Sequence, residues 1–96
     1  MKVYQINYDL RKQRNYDKLY KKIMSLGNWC HPLELCWLIA SEKTASQIAG
    51  ELFKVMDSDD GLLVTRLQNE AAWYNLDSKG TKKVSNWLQE NLSKAS

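Results

Sequence analysis

Proline and glycine are scarce, with one Pro and four Gly in 96 residues. That excludes collagen-like repeats and Pro/Gly-rich disordered chains. Cysteine is scarce too: Cys30 and Cys36 are the only two. Both sit in an apolar, strand-like stretch and read as small buried hydrophobes with free thiols. A zinc site from Cys30, His31 and Cys36 lacks CxxC spacing and a fourth ligand of the usual kind. His31 is the sole histidine. With no Ser-His-Asp order, no Gly-rich phosphate loop and no HExxH, the common hydrolase and phosphate-loop signatures are absent. The longest apolar run, Leu35–Ala40, is six residues, against the ~20 that a membrane-spanning helix needs. No membrane partner is expected. The opening segment MKVYQINYDL carries Asp9 and no apolar core. It is not read as a signal peptide, and the expected compartment is cytoplasmic.

What is present fits one folded domain. A chain of this length buries about two-thirds of its unfolded surface, a small but workable core. The apolar fraction is 44% and the charged fraction 26%, both ordinary for a globular protein. The net charge of +3 is unevenly spread. Residues 1–27 hold seven basic and two acidic side chains, a local +5; residues 28–96 hold seven and nine, a local −2.

Residues 2–10 alternate, with Tyr4, Ile6, Tyr8 and Leu10 on one face and Val3, Gln5, Asn7 and Asp9 on the other. That period-two pattern predicts a strand. After the polar loop RKQRN, Tyr16, Leu19, Tyr20, Ile23 and Met24 have the spacing of an amphipathic helix. Asn15 is its expected N-cap and Gly27 its expected stop. Residues 29–40 predict two short strands, about 28–31 and 34–40, or one strand with a bulge at Pro32. Thr44-Ala-Ser-Gln47 is a capping box that opens a second helix. Asp57–Gly61 predicts a turn and 62–67 a further strand. A calcium loop starting at Asp57 would need a carboxylate where Gln68 stands. A last helix, capped by Thr81, carries Val84, Trp87, Leu88 and Leu92 as its apolar stripe. The order fits a split β-α-β-β-α-β fold of the α+β class, with an antiparallel four-stranded sheet and two helices on one face. Right-handed crossovers put the first strand centrally, beside 62–67. The core is about 1–70, and 71–96 is an extension whose helix is expected to cover a sheet edge or dock on a second subunit.

The chain resembles the small CRISPR-associated ribonuclease and integration-scaffold family and its virulence-associated protein D relatives. The residues that carry the likeness are Tyr8-Asp9 at the end of an apolar strand, the basic loop and helix, the aromatic β-stretch, the Asp-rich turn and Leu62-Leu-Val-x-x-Leu67. Small bacterial and phage proteins with a W-L-x-x-N-L tail, here Trp87 to Leu92, are also similar. The resemblance implies a homodimer of ferredoxin-like subunits. It further implies that Asp9 faces its symmetry mate, where a divalent metal, Mg²⁺ or Mn²⁺, can bind. Some members cleave nucleic acid and others are scaffolds. Where the family has an apolar-Ser-Val-Phe-Glu strand, this chain has Leu33-Glu-Leu-Cys-Trp-Leu.

Asp9 has three readings: a catalytic and metal-binding carboxylate, a turn residue capping the loop, or a salt-bridge partner of a nearby cation. One aspartate per chain is too few for a two-metal site, but a twofold axis supplies two. Arg11, Lys12, Arg14, Lys18, Lys21 and Lys22 are the nucleic-acid-binding candidates, for RNA or DNA, or else a solvated face. Lys18, Lys21 and Lys22 share one side of the helix. Four Trp residues are a high load for 96 residues; they read as core or interface more than as base-stacking platforms. Trp73, Tyr74 and Trp87 are the interface candidates. Two functions follow: a metal-dependent endoribonuclease or other nucleic-acid-processing or -binding protein, or a non-catalytic oligomerisation or adaptor module.

Overall fold

The structure is a computed structural model that describes residues 1–11, 16–68 and 70–92. Its elements in chain order are β1 (Lys2–Asp9), α1 (Asp17–Ser25), β2 (Asn28–Leu33), β3 (Cys36–Ser41), α2 (Ala45–Phe53), β4 (Gly61–Arg66) and α3 (Lys83–Leu92). The four strands form one antiparallel sheet in the order β2-β3-β1-β4. β1 is central, with Ile6 opposite Trp37 of β3 on one side and Val64 of β4 on the other. Its alternation works as read: Tyr4, Ile6 and Tyr8 enter one core and Val3 the other.

Pro32 lies within β2, not between two strands. β2 is an edge strand, so the missing N–H costs the sheet little. The register slips between Cys30 and Leu33, the bulge expected around the proline. The chain then turns at Glu34-Leu35 and returns as β3, every residue of which is buried.

α2 starts on the expected capping box. Thr44 Oγ1 accepts from the Gln47 N–H at 3.1 Å, and Gln47 Oε1 accepts from the Thr44 N–H at 2.9 Å. The cap of α1 differs from expectation: Tyr16 holds the N-cap position with no side-chain cap, while Asn15 lies outside the described residues. Gly27 also has another role. It follows the C-cap, but its φ is not positive. A Cβ there would run into the Ala40 carbonyl. Glycine lets the start of β2 approach β3.

The sheet is covered on both faces. On one, Leu19 and Ile23 of α1 and Ile48 and Leu52 of α2 pack onto Tyr4, Ile6, Trp37 and Ile39. On the other, Leu88 and Leu92 of α3 pack onto Val3, Cys30, Cys36, Leu38 and Ala40. The last helix therefore neither caps an edge nor stands away from its own sheet. Its apolar stripe meets the second face of the same chain. Thr81 is not its cap, since that hydroxyl donates to Ser78 O at 3.0 Å. Asp77 does the capping, accepting from the N–H groups of Val84 at 2.6 Å and Ser85 at 3.1 Å and from Ser85 Oγ at 2.7 Å.

Candidate nucleic-acid interface

β1 ends where β3 and β4 begin, so one end of the sheet gathers Asp9, Arg11, the 34–35 turn and the Asp-rich turn at 57–60. α1 begins and α2 ends at this same end. Arg11 and the first turn of α1 are thus carried to one end of the fold by strand direction alone.

Asp9 is exposed, and its Oδ2 lies 3.6 Å from Arg11 Nε. Of its three readings, the ion pair is the one with a contact. Arg11 is held from both sides. Its backbone N–H donates to Asp60 Oδ1 at 2.9 Å, and its Nη1 donates to the Asp59 carbonyl at 3.0 Å. Asp60 is buried, and its other oxygen accepts the Asp57 N–H at 2.8 Å, so both carboxylate oxygens are satisfied. The carboxylate ties the chain leaving β1 to the turn entering β4. Gly61 fits this crowding, since a Cβ there would press on the Arg11 guanidinium at 3.0 Å.

The helix cations separate. Lys22 Nζ lies 3.0 Å from Glu51 Oε2 on α2, and Lys54 Nζ lies 3.1 Å from Oε1 of the same carboxylate. These two ammonium groups hold the Glu51 carboxyl down at about 2. Lys18 lines a cavity between α1 and the segment after α2, and Lys21 is exposed. Lys12 and Arg14 lie outside the described residues. Arg11 and Lys18 therefore reach one end of the fold, and Lys22 is spent on joining α1 to α2. The sequence carried no sign of Glu51 as a partner, because the contact depends on how two helices cross.

Asp9 offers one carboxylate to a cation. Among the described residues, no three His, Cys, Asp or Glu side chains group closely enough to hold a metal ion. Cys30 and Cys36 point into the α3 face, and burial pushes the Cys30 thiol up to about 11 and the Cys36 thiol in the same direction. His31 faces the other way. Its ring stacks on Trp37 at 3.9 Å, and Nε2 lies 3.0 Å from the Glu34 carbonyl. The three members of the conceivable zinc set are divided by the strand between two faces.

His31 also belongs to an aromatic row that sequence periodicity only half revealed. Tyr16 and Tyr20 stack at 5.6 Å, Tyr20 meets Trp37 at 5.0 Å, and Trp29 meets Trp37 at 5.3 Å. Tyr8 lies beneath them. Its hydroxyl donates to the Glu34 carbonyl at 2.9 Å and accepts from Trp37 Nε1 at 3.3 Å. Burial pushes its phenol well above the usual tyrosine range.

The interface candidates split as well. Trp73 Nε1 donates to Ser85 Oγ at 3.1 Å, and Trp87 Nε1 donates to Asn28 Oδ1 at 3.2 Å. Both indoles pack against the α3 core of their own chain. Tyr74 is 88% exposed. No protein-family model matches the chain, and no solved structure is a significant match for it.

Proposed function

We propose that this chain is a ferredoxin-like, homodimeric nucleic-acid-binding protein that meets phosphates at the Asp9–Arg11 end of its sheet. The strand order, with α1 and α2 on one face, supports the fold assignment. The observation that carries the function is the fixed Arg11. Its backbone and guanidinium are both anchored, yet it is exposed at the mouth of a basic segment that continues into Lys12 and Arg14. A pre-positioned guanidinium is suited to a phosphate. Cleavage is the sharper form of this proposal. In it Asp9 lends its carboxylate to Mg²⁺ or Mn²⁺, and because one chain supplies too few donors, the second copy's aspartate completes the set.

A second reading, a scaffold that binds without cleaving, is favoured by the Asp9–Arg11 pair, which already occupies the candidate carboxylate. Fluorescence anisotropy with labelled single-stranded RNA and duplex DNA over a salt series tests the binding. Affinity should fall steeply with salt, and Arg11→Ala should weaken it and lower the salt slope by about one. No salt-dependent binding to either probe refutes the proposal. Cleavage assays with Mg²⁺ and Mn²⁺ then separate the two forms. Activity lost in Asp9→Asn supports the nuclease, and binding without cleavage in the native chain supports the scaffold.

A further inference from the structure

A cavity of about 280 Å³ opens between the first turn of α1 and the segment leaving α2. It lies close to the roughly 300 Å³ lower end of small-molecule pockets. Its floor is apolar: Leu10 and Leu19 are almost wholly buried, and Val55 and Met56 are half-buried beside them. Its rim is charged. Lys18 stands on one wall, and Lys54 and Asp57 stand on the other. Lys18 and Asp57 make no ion pair among the described residues, and the Lys54 ammonium, which meets Glu51 Oε1 at 3.1 Å, keeps further N–H donors for a ligand. Asp60, also in the wall, has both oxygens engaged by backbone N–H groups, so it shapes the site and leaves its chemistry to the others.

We infer that this cavity is a nucleotide site, taking one nucleoside monophosphate unit with its phosphate on Lys18 and Lys54 and its base over Met56. The choice of ligand rests on the nucleic-acid proposal above, and the chemistry of the wall fits it. Two ammonium groups on opposite walls can share a phosphate as point charges. An apolar floor ending in a thioether accepts the face of an aromatic ring. The Asp57 carboxylate is an acceptor only, and it matches the N–H donors that a base displays on its edge. A purely apolar ligand would leave Lys18 without a partner. A bare anion would leave the floor uncovered and would face Asp57.

The test is a methyl and amide NMR titration of the full chain with GMP, with UMP and with inorganic phosphate. GMP should shift the Met56 methyl and the Leu10 and Leu19 methyls saturably. Lys18→Glu should weaken that binding at least tenfold, while Lys79→Glu, on an exposed loop away from the cavity, should leave it unchanged. Lys18→Glu is a safe probe of folding, since an acidic residue in the first turn of a helix is favourable. Val55→Trp, which fills the cavity, should abolish the shifts. The inference is overturned if neither nucleotide moves the floor methyls, if Lys18→Glu binds as tightly as the native chain, or if phosphate alone reproduces the nucleotide shifts at equal affinity. A labelled oligonucleotide separates this from the wider proposal. Oligonucleotide binding with an unmoved Met56 defeats the cavity alone. GMP binding in the cavity with no oligonucleotide binding defeats the wider proposal alone.

Discussion

The two faces of the sheet are covered in different ways. Under α1 and α2 the core contains Trp37, Tyr4 and Tyr8, whose polar atoms reach the backbone: Tyr4 Oη donates to the Lys43 carbonyl at 2.7 Å and Tyr8 Oη to that of Glu34. These helices lie between strands in sequence, so the chain cannot form the sheet without carrying them along. Under α3 the core is thinner. It has two buried leucines from the helix, with half-buried Val84, Trp87 and Trp73 beside them, and two side-chain hydrogen bonds at its edge: Trp87 Nε1 to Asn28 Oδ1, and Asn28 to Asn91 at 3.3 Å. α3 follows all four strands and connects to them only from one side. The first face belongs to the folding unit, and the second can detach as a local event.

Substitution of one buried residue on each face tests that difference most severely. Trp37→Ala should cost about 3–5 kcal/mol, a large share of the roughly 5–14 kcal/mol expected for a domain this size. Amide protection should fall throughout the sheet, because Trp37 also supports Trp29, Tyr20 and His31. Leu88→Ala should cost about 2–5 kcal/mol where it acts, but that loss should be confined to α3 and the β2 edge. Urea unfolding with hydrogen exchange distinguishes the two. If Leu88→Ala strips protection from β1 as fully as Trp37→Ala does, the faces form one cooperative unit and the comparison fails.

The same contrast explains what could be read from sequence. β1 was legible because its period of two names both faces at once, and α2 because its capping box is closed within four residues. The end of the fold that gathers Asp9 and Arg11 followed from strand direction. For α3, the stripe Val84, Trp87, Leu88 and Leu92 announces that a partner is needed without saying which one. The partner is a sheet face assembled from β1, β2 and β3, so no local pattern encodes it. Gly27 misled for a related reason. A glycine after a helix suggests a stop, whereas here a backbone carbonyl from β3 occupies the space a side chain would take. Asp77 sits seven residues before Val84, too far for a capping signature. At the candidate site, charge order along the chain marked Arg11 and Lys18 but not the carboxylates that hold Arg11 and Lys22, because Asp60 and Glu51 arrive from distant segments.

Asp77 carries the next largest effect and sharpens the account of α3. Its hydrogen bonds from Ser85 and Val84 hold its carboxyl below the usual range. A carboxylate stabilised in the folded state contributes above its ordinary value, near 4, and the contribution is lost as pH falls through the lowered folded value. α3 should therefore loosen in acid, with the Val84 and Ser85 amides exchanging first. Asp77→Ala should produce that loosened helix at neutral pH and remove the acid response, while β1 protection stays near native. If the sheet loosens in step with α3, the second face is not a separable layer.

Glu51 gives the smallest effect and tests the first face from outside. It is bridged to Lys22 on α1 and Lys54 on its own helix, with about a third of each of the Lys22 and Glu51 side chains exposed. Solvent and salt weaken such pairs, so Glu51→Gln should lower stability only slightly at low ionic strength. The difference should disappear near 1 M salt, where screening acts over about 3 Å. With the Glu51 carboxyl held at about 2, its contribution is present above the ordinary glutamate value and fades as pH falls towards 2. Chemical unfolding at several salt concentrations should show this in the native chain and not in the variant. The substitution also releases Lys22 and Lys54, so it should tighten binding of a labelled oligonucleotide while stability barely changes. Weaker oligonucleotide binding would mean that the bridge positions α1 for its partner, and the first face would then owe part of its function to a surface contact and not to its core.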